Sequence, residues 1–208
     1  MPDAKGDVLN VLAISGSLRT KSFNSGLVDA LVQSAEHTES MKITKLEDWA
    51  SLPMLNVDLL DAKGLPRTVQ EVNQRIREAD AVIIVTPEYC YGPPGGLKNL
   101  LDWQSLPDPA DNTLRHKPVA LLGASIGNFG TQRAQAALRT SLLFMDAVVM
   151  GKPEVYISNA TAKFDDDGRL VHDGTAALLG RFLNDFEEHA AATLQRKLPL
   201  LVREFLFT

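Results

Sequence analysis

The chain has 208 residues, of which 45% are hydrophobic and 23% are charged, as in an ordinary globular protein with its own core. Its net charge of −5 and its lack of a basic stripe exclude a general nucleic-acid binder. A single cysteine, Cys90, excludes an internal disulfide and a cysteine-based zinc site. The four histidines are scattered along the chain, so we expect no metal site.

The whole chain, residues 1–208, is expected to fold as one domain. Residues 1–7 are polar and predict a flexible N-terminus, and the apolar run after them is too short for a signal peptide. No stretch is long enough to span a bilayer, so we expect a cytoplasmic protein that does not bind membranes. Residues 198–208 form an apolar C-terminal tail.

Short apolar runs alternate with segments of helical periodicity along the chain. The apolar runs predict strands at residues 8–14, 41–46, 81–85, 119–122 and 147–150. The periodic segments predict helices at residues 24–37, 69–79, 96–103, 131–144 and 175–197, the last ending before Pro199. This alternation predicts a parallel sheet covered by helices on both faces.

Two segments between these elements are irregular. Residues 47–66 carry prolines and a glycine among mixed polar residues and predict an irregular connection. Residues 165–168, Asp-Asp-Asp-Gly, predict a tight turn and not a calcium loop, because the other EF-hand ligands are missing.

The segment between the first strand and the first helix has the residues of a phosphate pocket. Residues 15–24 read Ser-Gly-Ser-Leu-Arg-Thr-Lys-Ser-Phe-Asn, and the free N–H groups of a helix start favour an anion there. Ser17 and Ser22 supply hydroxyls, Asn24 supplies an amide and Arg19 supplies a guanidinium. Neither a dinucleotide fingerprint nor a Walker A loop is present. The alternative is a serine-capped helix with a solvated arginine.

A second unusual loop follows the third strand. Residues 87–103 read Pro-Glu-Tyr-Cys-Tyr-Gly-Pro-Pro-Gly-Gly-Leu-Lys-Asn-Leu-Leu-Asp-Trp. In a parallel sheet of order 2-1-3-4-5, ligands bind beyond the carboxyl ends of the first and third strands, where the strand order reverses. Both loops are therefore expected to meet at one crevice.

These motifs resemble the NAD(P)H-dependent FMN reductase family, whose relatives include quinone, chromate and azo-compound reductases. The resemblance spans residues 8–186 and is carried by four motifs. They are Gly-Ser-Leu-Arg-x-x-Ser-x-Asn at 16–24, Pro-Glu-Tyr at 87–89, Pro-Gly-x-Leu-Lys-Asn-x-x-Asp-Trp at 94–103 and Phe-Asp-x-Asp-Gly-Arg-Leu at 164–170. The resemblance implies a flavodoxin-like three-layer α/β sandwich with a five-stranded parallel sheet of order 2-1-3-4-5. It also implies FMN as cofactor, NADPH or NADH as co-substrate, and a homodimer or homotetramer.

The resemblance also implies which residues contact the cofactor. Those expected to hold the FMN phosphate are Ser17, Arg19, Ser22 and Asn24. Those expected to line one side of the isoalloxazine ring are Pro87, Glu88, Tyr89, Cys90 and Tyr91. The family usually has asparagine where this chain has Cys90, which leaves the backbone N–H of that residue as the available contact.

A glycine-rich loop follows the fourth strand at residues 123–131. Ser125 and Gly127 are expected to bring backbone N–H groups to the pyrimidine end of the flavin. The match to the family is partial, because the usual glycine pair is replaced, although an arginine, Arg133, follows. A strand-to-helix turn that binds no ligand is the alternative.

The favoured function is therefore an oxidoreductase that takes hydride from NADPH or NADH onto FMN and passes electrons to a quinone, a free flavin or another electron-poor acceptor. Chemistry centred on the flavin requires no catalytic side chain. If one face of the ring is open, nicotinamide and acceptor use it in turn, which predicts ping-pong kinetics. Two alternatives are a flavodoxin-type electron carrier and a flavin-free interaction module of the same fold.

Overall fold

The computed structural model describes residues 8–60, 64–106 and 112–205, with side chains to residue 194. The strands are β1 (Leu9–Ser15), β2 (Met41–Lys45), β3 (Ala81–Val85), β4 (Pro118–Ala124), β5 (Val148–Val149) and β6 (Val155–Ile157). The α-helices of the described residues are α1 (Phe23–Ala35), α2 (Arg67–Glu78), α3 (Gly95–Gln104), α4 (Gln132–Phe144) and α5 (Asp173–Phe205). Short 3₁₀ turns lie at Trp49–Ser51, Val57–Leu59 and Ala160–Ala162.

The strands form one parallel sheet of order β2-β1-β3-β4-β5, which confirms the predicted order. The sheet has a sixth strand besides the five predicted, because β6 also pairs with β4. Strand β5 pairs with the start of β4, and β6 pairs with its end. The edge of the sheet is therefore split in two, at a segment that contains Pro153, a residue that cannot donate to a strand ladder.

The sheet has a hydrophobic core on each face. Alternate residues of β1 point to opposite sides, so Val11 and Ala13 belong to one core while Leu12 and Ile14 belong to the other. Helices α1 and α5 cover the first core, and α2, α3 and α4 cover the second. Burial on both faces explains why the inner strands are apolar throughout. This arrangement confirms the predicted three layers.

Helix α5 is longer than the sequence predicted. It runs from Asp173 to Phe205 and passes through Pro199, where the sequence predicted its end. A proline inside a helix removes one backbone N–H and bends the helix but need not end it. Residues 1–7 and the side chains of the apolar tail at 198–208 lie outside the described part of the chain. None of the described helices has both the length and the apolar composition that a bilayer span requires.

The irregular connection after β2 is fixed by α3. Asn99 accepts a hydrogen bond from the N–H of Leu55 (2.8 Å) and donates to the carbonyl of Pro53 (2.9 Å). The buried indole of Trp103 donates to the same carbonyl at 2.8 Å. The Asn and Trp of the 94–103 motif therefore hold the connection in place.

Candidate functional site

Three loops meet at the carboxyl ends of β1, β3 and β4, next to the point where the strand order reverses. They span residues 16–22, 86–94 and 125–131. The N–H of Gly16 donates to the carbonyl of Val85 at 2.7 Å, which fixes the first loop against the end of β3. The structure thus brings the loops predicted to form the site to one edge of the sheet, as expected for a ligand crevice in this topology.

In the first loop, two serine hydroxyls set the backbone. Ser22 is the N-cap of α1, and its hydroxyl accepts a hydrogen bond from the N–H of Asn24 at 3.1 Å. The hydroxyl of Ser17 accepts from the N–H of Arg19 at 3.3 Å. Each hydroxyl is the acceptor in its bond, so its own hydrogen remains available for donation to a ligand. The first turn of α1 contains no acidic residue, so the positive end of this helix dipole is not neutralised there.

Asn24 connects the first loop to the end of β4. Its side chain is buried, donates to the carbonyl of Ala124 (3.0 Å) and accepts from the N–H of the same residue (2.9 Å). These two bonds occupy the oxygen and one of the two N–H donors of the amide. Asn24 therefore fixes one site loop relative to another. Its expected contact with phosphate stays a prediction.

Arg19 is one of two exposed cations of the first loop, the other being Lys21. Its guanidinium lies 5.3 Å from the centroid of the Phe23 ring. Among the described residues it forms no ion pair with a carboxylate. The charge of Arg19 is therefore held near the start of α1 and is free to bind an anion.

The second loop presents a tight turn. The backbones of Tyr89 and Gly92 exchange two hydrogen bonds of 2.9 Å, and the two residues between them, Cys90 and Tyr91, have φ values of 48° and 63°. Two central residues with positive φ define a type I′ turn, which favours asparagine and glycine. This conformation gives a physical reason why the family that the sequence resembles usually has asparagine where this chain has Cys90.

The turn also sets the exposure of the residues expected beside the flavin. Pro87 is buried, whereas Cys90 is exposed. The side chains of Tyr89 and Tyr91 are 53% and 74% exposed, which is unusual for large aromatic residues. Their rings are therefore available to an aromatic ligand.

Glu88 supports the third loop. Its carboxylate accepts hydrogen bonds from the backbone N–H groups of Arg133 (2.9 Å) and Ala134 (3.1 Å) at the start of α4. The residue at the N-cap position, Thr131, makes no side-chain capping bond, so Glu88 takes this role from another loop. The structure places the carboxylate on the helix end, and its expected place beside the flavin ring stays a prediction.

Sequence reasoning missed an aromatic cluster at the rim of the crevice. The guanidinium of Arg133 lies 4.3 Å from the ring centroid of Tyr91 and 4.9 Å from that of Phe129. It is also 3.5 Å from a carboxylate oxygen of Glu88. Arg133 was noted in the sequence only as a partial family match, and Phe129 was not assigned a role. Their contacts join two loops that are far apart in sequence, so no local pattern marks them.

The third loop is tied to β6, the strand that the sequence did not predict. The N–H of Ser125 donates to the carbonyl of Ile157 at 3.0 Å, and its hydroxyl donates to the carbonyl of Gly130. This N–H is therefore not available to a flavin. Gly127 accepts from the N–H of Asn159 (3.3 Å), and its own N–H has no acceptor among the described residues. Of the two residues predicted here, Gly127 keeps a free N–H.

The chain is similar to known reductases in sequence and in structure. The family described as NADPH-dependent FMN reductase matches residues 9–162. The chain is 42% identical to an NAD(P)H-dependent FMN reductase of Pseudomonas aeruginosa, over 83% of this chain and 90% of that protein. It is 41% identical to a quinone reductase of Escherichia coli strain K12, over 86% and 94% of the two chains.

Among solved structures, the chain resembles FerB of Paracoccus denitrificans, a flavoenzyme NAD(P)H:(acceptor) oxidoreductase, with a TM-score of 0.79 and 34% identity. This likeness covers 89% of this chain and 99% of FerB. The family match includes every strand of the sheet and all three loops of the crevice. The chain therefore belongs to the NADPH-dependent FMN reductase family and is an oxidoreductase that uses FMN with NADPH or NADH.

Proposed function

We propose that the crevice beyond β1, β3 and β4 holds FMN and that the protein transfers electrons from NADPH or NADH to quinones. The observation that carries this proposal is the pairing of two features across the reversal point of the sheet. One is a helix start with two hydroxyl donors and an arginine that has no carboxylate partner among the residues the structure describes, and the other is a turn with two exposed tyrosines. Phosphate suits the first feature and a flat ring suits the second.

The residues of the first loop bind the phosphate group in this proposal. Ser17 and Ser22 donate from their hydroxyls, the N–H groups at the start of α1 point to the same anion, and Arg19 balances its charge. Asn24 is a positioning residue, because it bonds to Ala124 and so sets the distance between the phosphate loop and the third loop.

The second and third loops orient the flavin ring. Pro87, Tyr89, Cys90 and Tyr91 lie on its side of the crevice, and Gly127 offers a backbone N–H. Glu88 acts by holding the two loops together. Bound FMN supplies the hydride chemistry, so the side chains serve to bind, orient and exclude water.

We propose that the second and third loops form a wall that covers one side of the flavin ring and leaves the other face open. Nicotinamide and acceptor then use this open face in turn. The wall is supported by the contacts of Glu88 and Arg133, which join both loops into one unit. Initial-rate lines should run parallel when both substrates are varied. Intersecting lines would show a ternary complex and contradict the shared face.

Quinones are proposed as acceptors because several relatives between 35% and 41% identical are named quinone or benzoquinone reductases. Free flavins, chromate and azo compounds are proposed as further acceptors, since an open crevice with an aromatic rim selects weakly by shape. A quinone ring can also stack on the exposed tyrosines whereas chromate cannot, so turnover of a quinone should be well above that of chromate at equal concentration.

The phosphate site is tested by Arg19→Ala. Loss of a hydrogen bond to a charged group costs about 1.5 to 3 kcal/mol, so the Kd for FMN should rise about 10- to 150-fold. The measurement is fluorescence titration of the apoprotein. Arg67→Ala on α2 is the matched control, because among the described residues this surface arginine pairs with Glu71 alone, and it should bind FMN like the wild type. An unchanged Kd in Arg19→Ala would contradict the placement of the phosphate.

We further propose that the chain is one domain that works in the cytoplasm as a homodimer or homotetramer. Leu143 and Phe144 at the end of α4 are 76% and 77% exposed. Phe144 also lines a cavity of about 330 Å³ with Leu101 of α3 and the Lys98–Asp102 ion pair. An apolar pair beside a cavity is typical of an interface. Light scattering should give a multiple of the chain mass, and Phe144→Glu should lower it; a wild-type monomer would contradict this proposal.

A further inference from the structure

The motif at residues 164–170 has no role in the site described so far, although it forms an ordered hairpin. The hairpin spans residues 163–171 and lies between the 3₁₀ turn at Ala160–Ala162 and α5. The N–H of Gly168 donates to the carbonyl of Asp165 at 2.9 Å. The carboxylate of Asp165 accepts from the backbone N–H groups of Asp167 (3.0 Å) and Arg169 (2.8 Å). These bonds confirm the predicted tight turn and fix its shape.

The tip of this hairpin lies directly on the phosphate loop. Gly168 has a φ of 81°, and a Cβ added there would lie 2.8 Å from the carbonyl carbon and oxygen of Lys21. A Cβ added to Gly26 in α1 would lie 1.9 Å from the carbonyl oxygen of Gly168. Neither position has room for a side chain. Lys21 itself has a φ of 56°, in the left-handed region that lysine seldom adopts because of its steric cost.

A row of side chains links the same hairpin to Arg19. The ring of Phe164 is almost fully buried and lies 5.1 Å from the ring of Phe23. The guanidinium of Arg19 lies 5.3 Å from the Phe23 centroid. Arg19, the proposed phosphate-binding cation, therefore packs against the ring of Phe23, which packs against Phe164 of the hairpin.

Charge at this contact is balanced. Lys21 pairs with Asp167 at 3.0 Å, and both side chains are about half exposed. An exposed pair of this kind contributes little to the free energy of folding. It does neutralise Lys21, which leaves Arg19 as the cation of the loop without a carboxylate partner among the described residues. Packing, more than the ion pair, is what the hairpin supplies.

From these contacts we infer that the hairpin is a positioning element for the phosphate loop, with Gly168 and Phe164 as its positioning residues, and that it sets the preference for FMN over riboflavin. The inference rests on the proposed function. Gly168 acts through the backbone of Lys21, and Phe164 acts through Phe23 on Arg19. Riboflavin lacks the phosphate, so its binding should not depend on this support.

Gly168→Ala and Phe164→Leu test the inference. Gly168→Ala adds a methyl group that pushes the backbone of Lys21 away. Phe164→Leu removes the ring that packs against Phe23 and adds no atoms. The Kd values for FMN and for riboflavin are measured on the same apoprotein. We expect the Kd for FMN to rise at least about tenfold, as for loss of one charged hydrogen bond, while the Kd for riboflavin changes less than about threefold.

Val69→Ala is the control for general destabilisation. Val69 is fully buried in the core on the opposite face of the sheet, so its truncation should lower the thermal midpoint. The ratio of the two Kd values should stay that of the wild type. If Gly168→Ala does not fold, Phe164→Leu still gives the ratio.

The outcomes separate the two proposals. If Arg19→Ala reduces the FMN preference while both hairpin variants keep it, the hairpin inference is overturned and the proposed function stands. If the hairpin variants weaken both flavins equally, the hairpin is only general support and the inference is again overturned. If Arg19→Ala keeps the wild-type Kd values for both flavins, the phosphate is not bound in this loop and the proposed function fails with the inference.

Discussion

Replacing Glu88 with alanine is expected to destabilise the protein without any flavin present, because the carboxylate caps α4. It accepts from the N–H groups of Arg133 and Ala134 at 2.9 and 3.1 Å, and its side chain is only 11% exposed. Water therefore replaces these bonds only in part when the carboxylate is removed. The alternative is that Glu88 acts mainly on the flavin ring, in which case the apoprotein should be insensitive to the change.

The expected size follows from three contributions. Loss of a cap costs about 0.5 to 2 kcal/mol. Loss of a negative charge at a helix N-terminus costs about 0.3 to 1 kcal/mol. The ion pair with Arg133 is 44% exposed on the arginine side and adds little. Together they give a loss of about 2 kcal/mol, which in a domain of this size lowers the thermal midpoint by about 4 to 8 °C.

Denaturant unfolding of the apoprotein is the assay. Glu88→Gln keeps a capping oxygen and loses the charge, so it should cost about 1 kcal/mol, between wild type and Glu88→Ala. Glu71→Ala is the control, because the one partner of this exposed α2 residue in the described part of the chain is Arg67, one turn away. The change in unfolding free energy should be less than about 0.5 kcal/mol. Apo Glu88→Ala within about 0.5 kcal/mol of wild type, together with a changed flavin Kd, would refute the capping role.

Cys90→Asn should raise the unfolding free energy by about 0.5 to 1 kcal/mol, because asparagine tolerates the positive φ of this turn position, whereas Cys90→Ala should bring no gain in the same denaturant titration. Asn24→Ala should lower the unfolding free energy by about 2 to 5 kcal/mol, because it leaves the buried N–H and carbonyl of Ala124 unpaired. A loss below about 1 kcal/mol in chemical unfolding would contradict the role of Asn24 in fixing the first loop to the end of β4. The hydrogen bond and charge of Lys21, with a further contribution from Arg169, hold the pKa of the Asp167 carboxyl below its ordinary value of 3.8. The stabilisation from this carboxylate is therefore present above pH 3.8 and is lost as pH falls through the lower pKa of the folded state. The difference in unfolding free energy between wild type and Asp167→Asn should be constant above about pH 5 and should shrink below about pH 4. A difference that changed between pH 5 and 8 would contradict this sign.

Five of the strands and the three loops of the site could be predicted from the amino-acid sequence. Strands buried on both faces must be apolar throughout, so residues 81–85 and 119–122 are visible as strands without any neighbour in view. The family motifs implied the order 2-1-3-4-5. The phosphate-suited residues at 15–24 and the aromatic turn after β3 follow from local composition. Local free energies of capping, turn formation and burial depend on nearby residues, which is why these features could be predicted.

The contacts of the polar side chains in the site, by contrast, depend on the fold. Strand β6 has three residues, too few for a pattern, and it exists because it pairs with the end of β4. Glu88, predicted beside a flavin, also caps a helix 45 residues later, and Asn24, predicted to hold a phosphate, also binds a backbone 100 residues later. A carboxylate or an amide can form hydrogen bonds with several kinds of partner. The fold decides which partners lie within reach, and buried backbone donors and acceptors must be paired.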